Sequence, residues 1–267
     1  MIKNMTLGQY LPGTTLLHKS DPRTKIILTF LFMTFFIIIN KYYQFAASIL
    51  FTVIILIGTK VPVKYVIKSI KPILFIVLIT GVVNLVTTKG STALDLRLFK
   101  ITYEGLDITI KMALRLTLIM VNASLMTLTT TPITITDGFE RLLGGLKRFK
   151  IPVHEIAMMM SIALRFIPTL IEETDKLMKA QASRGAEFDQ GNIINRARSY
   201  IPLLVPLLVG AFRRAEDLAM AMEARCYKGG EGRTRLRQLK FTNVDIHVTI
   251  IFAFFILANI ILTISLK

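Results

Sequence analysis

Five apolar runs, four of them crowded before residue 130 and the fifth at the C-terminus, constrain this chain more than any motif in it. Residues 26–39 are almost unbroken in their apolarity, Asn40-Lys41-Tyr42-Tyr43-Gln44 interrupts, and residues 45–58 are apolar again. Each of these two runs falls short of the ~20 residues that span a hydrocarbon core. Flanking Thr, Tyr and snorkelling Lys extend both, so the pair reads as a helical hairpin. A basic connector follows, with Lys60, Lys64, Lys68 and Lys71 and with Pro62 and Pro72. Residues 73–86 form the third run, and residues 106–129 the fourth, with Lys111 and Arg115 near its start. The polar stretch between them holds a strand-like segment at 96–103, and the fifth run is 244–266. The whole chain is 53% hydrophobic with a mean hydropathy of +0.58, above the about 45–50% apolar content of soluble domains. The predicted fold is all-α: a polytopic helix bundle of about five spans in a lipid bilayer, carrying long cytoplasmic helices.

Charge sets the orientation. Lys and Arg number 33 against 17 Asp and Glu, a formal charge of +16. The basic residues flank the apolar runs or sit in helical segments, without interleaved aromatics, so they point to cytoplasmic loops and not to nucleic acid. Lys19, Arg23 and Lys25 precede the first span. Lys147, Arg148, Lys150, Arg233, Arg235 and Arg237 follow the fourth. Fewer, such as Lys41, Lys89, Arg97 and Lys100, fall in the opposite connectors. The N-terminus is therefore expected inside and the C-terminus outside. Three regions are expected: 1–131, an N-terminal membrane region of four spans; 132–243, a cytoplasmic module of long helices; and 244–267, a C-terminal span. No signal-peptide pattern leads the chain.

Within 132–243, Thr134-Ile135-Thr136-Asp137 reads as a helix N-cap with Glu140 completing a capping box. That helix should end near Gly144-Gly145 or Lys150. Pro152 then opens a second helix, Val153 to Arg184, from the first helical position. A third runs from about Ile193 to Cys226, with Pro202 and Pro206 expected to kink or interrupt it. Gly185 and Gly229-Gly230 are stop signals. The Met158-Met159-Met160 patch and residues 203–209 read as packing surfaces, and the thioethers would also suit an adaptable interface.

Catalytic patterns are missing. Gly144-Gly145-Leu146-Lys147 lacks the spacing of a phosphate loop, so the chain should not hydrolyse ATP. His18, His154 and His247 have no metal-ligand spacing, and no metal or cofactor is expected. One cysteine, Cys226, excludes an internal disulfide. Glu172-Glu173-Asp175 and the Glu187/Asp189 pair lie among basic residues and read as a solvated charged face. Asn84 and Asn122, polar within apolar runs, are expected to hydrogen-bond between helices.

Two near-repeats stand out: Ala180-Gln181-Ala182-Ser183-Arg184-Gly185-Ala186 and Ala221-Met222-Glu223-Ala224-Arg225-Cys226-Tyr227. Each sets one Arg among small residues at the end of a long helix, where positive charge complements the helix dipole. Small neighbours let the Arg enter a partner's groove at close range. That pattern suits docking better than catalysis.

These segments carry a resemblance that covers nearly the whole chain. With His18 to Lys25, Thr136 to Leu143, Ser161 to Pro168, Pro202 to Pro206 and Ala221 to Gly232, the sequence resembles the transmembrane T component of energy-coupling factor (ECF) transporters. The resemblance implies a non-catalytic subunit of a vitamin or micronutrient importer in the prokaryotic cell membrane. It implies two partner ABC ATPase subunits, read as a heterodimer, and interchangeable membrane S components that select the substrate. The family's paired Ala-Arg-Gly motifs dock the tips of two coupling helices into the ATPases. Here the pair reads Ser183-Arg184-Gly185 and Ala224-Arg225-Cys226, each departing at one small residue. The alternative, a conventional ABC-importer permease with its own substrate path, usually carries one coupling loop. An integral-membrane enzyme would gather carboxylates at a cleft, whereas here they interleave with basic residues.

Overall fold

A computed structural model describes residues 10–89, 91–96, 99–186, 188, 192–229 and 239–265. Readings that fall on Arg97, Glu187, Asp189, Gly230, Arg233, Arg235 and Arg237 lie outside the described residues. In chain order the elements are α1 (Leu16–Lys19), α2 (Pro22–Ile38), α3 (Tyr42–Thr59), α4 (Val63–Thr87), β1 (Thr92–Leu96), β2 (Phe99–Thr102), α5 (Tyr103–Thr129), α6 (Pro132–Leu142), a 3-10 stretch (Leu143–Phe149), α7 (Val153–Ser183), α8 (Ile193–Ala224) and α9 (Asn243–Ser265). The fold is helical, with one short antiparallel hairpin of β1 and β2 where the strand-like segment was expected. The elements form two compact units, a bundle from residues 10–142 and 239–265 and a lever unit from 143–229.

Local chemistry moves several boundaries. Asp21 caps α2 by accepting from the Arg23 amide, with Pro22 at the first helical position, so the helix starts four residues before the apolar run. The basic connector is not a connector: α4 begins at Val63 and passes through Pro72 as one 25-residue helix. It is held along α5, where the Thr109 hydroxyl donates to the Gly81 carbonyl at 3.4 Å. Asp137 is no N-cap. The helix begins at Pro132, because the Thr131 hydroxyl accepts from the Thr134 amide and Pro132 fits the first turn. After Leu142 the chain tightens into a 3-10 stretch that runs past the glycines and ends at Phe149, beside Lys150, the second of the two expected ends. α8 runs through Pro202 and Pro206 without interruption, and α7 likewise contains Pro168.

The bundle core is aromatic. Phe32 and Phe36 meet at 4.4 Å between centroids, and Phe51 stacks on Phe255 at 4.1 Å. Phe36 and Leu128 are fully buried. Arg115, well inside α5, donates to the carbonyls of Phe36 and Ile39 at 3.0 and 2.8 Å and so caps α2 from another helix. Gln44 caps α3 and donates to Thr263 of α9 at 2.8 Å. Asn122 donates to Thr52 across α5 and α3 at 3.4 Å, as expected for a polar group in an apolar run. The Asn84 amide nitrogen is buried with no hydrogen-bond partner among the described residues.

Five described helices are long and apolar enough to cross a membrane: α3, α4, α5, α7 and α9. The number matches the sequence expectation, but one member differs. α2 has 17 residues, at the lower limit for spanning, while α7 qualifies through its first half, before Glu172, Glu173 and Asp175.

Candidate functional site

The two arginine tips are built in the same way. In α7, Arg184 is the C-cap, the Gly185 amide donates to Ala182 O at 3.0 Å and the Ala186 amide donates to Gln181 O at 3.0 Å. In α8, Arg225 is the C-cap, the Cys226 amide donates to Glu223 O at 2.8 Å and the Tyr227 amide to Met222 O at 3.0 Å. Both are Schellman turns, which close the helix by putting the next residue in the left-handed region. Gly185 has φ +85° and Cys226 φ +54°. The Cys therefore keeps the glycine geometry, at a cost of about 1 kcal/mol for a side chain in that region.

Ser183, Arg184, Gly185, Ala224, Arg225 and Cys226 are all exposed. Neither guanidinium has a hydrogen bond or ion pair among the described residues, so both remain free to donate. The tips are far apart. The Tyr227 hydroxyl donates to Met158 Sδ at 3.1 Å, which sets the end of α8 beside the start of α7. The helices are antiparallel, and α7 from Met158 to Arg184 is roughly 40 Å long at 1.5 Å per residue.

Between the tips, Glu173 of α7 pairs with Arg214 of α8. A Cβ added at Gly210 would come within 3.3 Å of Glu173 Oε1, so the glycine permits close approach there. The sequence assigned Glu173 to a solvated face. Its partner stands 41 residues away, and the visible signal was a Gly and an Arg one turn apart on α8.

A second polar cluster lies in the bundle, on the His18 to Lys25 segment, which the sequence marked only by its positive charge and its resemblance. Arg23 holds Asp21 with both nitrogens, at 3.0 and 2.9 Å, reaches Leu239 O at 3.3 Å and lies 4.0 Å over the Phe241 ring. The Asp21 amide donates to Asp245 at 2.6 Å, and Asp245 also accepts from Thr242 at the start of α9. Burial raises the Asp21 carboxyl, but its hydrogen bonds to Arg23 outweigh that and hold it below the ordinary value. Lys25 donates to Thr129 O and Thr130 Oγ1, both at 3.1 Å. His18 Nε2 donates to Leu11 O at 3.1 Å and Nδ1 accepts from Thr15, while burial holds the ring below its ordinary value; it is a neutral structural histidine. α6 docks here too. A Cβ at Gly138 would lie 2.9 Å from Ile26 and 3.2 Å from Pro22, so the helices touch through that glycine. The polar groups of this cluster are spent on one another and on backbone, the Lys25 amine included. Among the described residues no set of His, Cys, Asp or Glu is placed to hold a metal.

Residues 13–236 match the family described as cobalt transport protein, CbiQ. The chain is 59% identical over 249 residues to a curated relative from Ruminiclostridium cellulolyticum, covering 93% of each, called energy-coupling factor transporter transmembrane protein EcfT. Relatives of the same name from Thermosediminibacter oceani and Bacillus subtilis are 50% and 49% identical. The first covers 92% of each chain, the second 94% of this chain and 95% of the relative. With helices suited to crossing a membrane several times and this similarity along nearly its whole length, the chain belongs to the family of energy-coupling factor transporter transmembrane proteins.

Proposed function

We propose that this chain is the non-catalytic membrane scaffold of a vitamin or micronutrient importer in a prokaryotic cell membrane. It carries the movement of two cytoplasmic ATPases to a membrane-embedded S component, and several interchangeable S components share it. Ser183-Arg184-Gly185 docks one ATPase and Ala224-Arg225-Cys226 the other. The observation that carries this is the pair of matched, exposed, unpaired Arg tips roughly 40 Å apart. One small partner pocket does not bridge that distance; two subunits do. Each guanidinium offers a planar set of donors to carbonyls or carboxylates in its groove. The helices are stiff, and the Glu173–Arg214 pair joins them, so a displacement at either tip reaches both. The exposed apolar face of α8, including Leu204, Leu208 and Phe212, supports a seat for the S component. α2 is taken as a span because its aromatics sit in the bundle core with α3, α5 and α9. α7, the least apolar of the five candidates, is taken as a cytoplasmic lever.

Arg184→Glu and Arg225→Glu test this. Removing one partner of a buried charge-assisted contact costs about 2–5 kcal/mol, and a reversed charge costs more. Each variant should insert normally yet lose ATP-driven vitamin uptake into vesicles, and the double variant should no longer pull down the ATPases. A double variant that assembles and transports like the wild type overturns the assignment of both tips.

A further inference from the structure

The bundle contains an open-sided cavity of about 340 Å³ between α2, α3, α5 and α9, with Leu16 and Leu17 of α1 at one end. Its floor is aromatic, with Phe32, Phe51 and Phe252, and its walls include Ile54, Leu125 and Met126. No carboxylate lines it. Lys25 contributes its stem, since its amine is occupied by Thr129 and Thr130. Gly58 lines the wall, and a Cβ added there would meet nothing within 4 Å, so the helix leaves open space where any other residue would fill it. Two of the lining elements, α1 and α3, end on an exposed lysine. Lys19 closes α1, two residues after the lining Leu17, and Lys60 follows the lining Thr59 of α3.

We infer that this cavity is a binding site for one acyl chain of an anionic phospholipid, with the headgroup phosphate held at its open end by Lys19 and Lys60; its leaflet rests on the cytoplasmic placement of that end expected from the flanking charges. An acyl chain inside a bilayer gains little from leaving one apolar medium for another. Occupancy then depends on packing against the aromatic floor, and selection among lipids on the headgroup. Basic pockets at the cytoplasmic ends of spanning helices select anionic headgroups for this reason. A lipid lodged between α3 and α5 would fill the bundle at the level of Asn122, where packing is otherwise incomplete.

The full-length protein, purified in mild detergent, is incubated with phosphatidylglycerol or phosphatidylethanolamine of the same acyl chains, and retained lipid is read by native mass spectrometry. Wild type should keep one phosphatidylglycerol in preference to phosphatidylethanolamine. Lys19→Gln and Lys60→Gln should each weaken phosphatidylglycerol retention about fivefold, leaving phosphatidylethanolamine unchanged. Gly58→Phe should reduce retention of both lipids several-fold. Should that variant fail to fold, wild-type protein labelled with a phosphatidylglycerol bearing a photoreactive acyl tail gives the answer: adducts should concentrate on Ile54, Ile55 and Met126. Equal retention of both lipids by wild type overturns the headgroup assignment. Adducts spread with equal yield over the outer face of α4, at Phe75 and Leu78, overturn the site. Neither readout uses ATP or substrate, so a failed tip experiment leaves this site standing, and the reverse also holds.

Discussion

The bundle and the lever unit solve opposite problems. The bundle buries Phe32, Phe36, Phe45, Leu118 and Leu128 and fixes its helices with the cross-helix cap from Arg115 and the Gln44–Thr263 hydrogen bond. Among the described residues of the lever unit, the buried apolar side chains are Val153, Ala157 and Leu203. Its large apolar residues face outward instead, with Phe212 63% and Leu208 59% exposed. A bundle that carries its own core specifies itself. A pair of long helices with one crossing ion pair among the described residues and bare apolar faces is made to be completed by others.

The largest expected difference between the two units follows from burial. Phe36→Ala should destabilise the protein by about 3–5 kcal/mol, read as a lower thermal midpoint in detergent. Phe212→Ala, on the exposed face, should change stability by less than about 0.5 kcal/mol and leave the midpoint nearly where it was. Equal losses would erase the distinction. Next in size is the lever crossing. Glu173→Arg sets two cations together at a half-exposed pair worth about 1 kcal/mol or less. It should lower uptake per ATP hydrolysed while the subunits stay assembled, and adding Arg214→Glu should restore the ratio. A single variant that couples as well as wild type would show that the helices need no such link. The smallest effect concerns the tips. Cys226→Gly should relieve left-handed strain and slow amide exchange at residues 226 and 227 by an amount equivalent to about 1 kcal/mol at most. Gly185→Ala should do the reverse at the other tip.

Much of this was legible in the amino-acid order. The apolar runs located α3, α5 and α9 closely, and Gly185 marked the end of α7. Where reading failed, local chemistry was ambiguous. Pro72 looks like a stop, yet α5 holds α4 together through it. Asp137 and Glu140 form a plausible capping box, yet Thr131-Pro132 starts the helix earlier. Asp245 and Glu173 were illegible because their partners are 224 and 41 residues away, and no periodicity reports such pairs. Cys226 adopting the glycine conformation could not be read from its identity, since the surrounding hydrogen bonds impose it.

The Asp21–Arg23 cluster has an architectural consequence. The chain leaves the bundle through α6, whose Gly138 rests on Pro22, and re-enters at Leu239 to Thr242, which Arg23 and Asp245 grip. Exit and return are thus stapled to the same turn of α2. A host whose two cut ends are pinned side by side tolerates an exchanged insert, because the graft need not hold the ends together. The segment between those two ends is then a cassette whose sequence can change while the host bundle keeps its own.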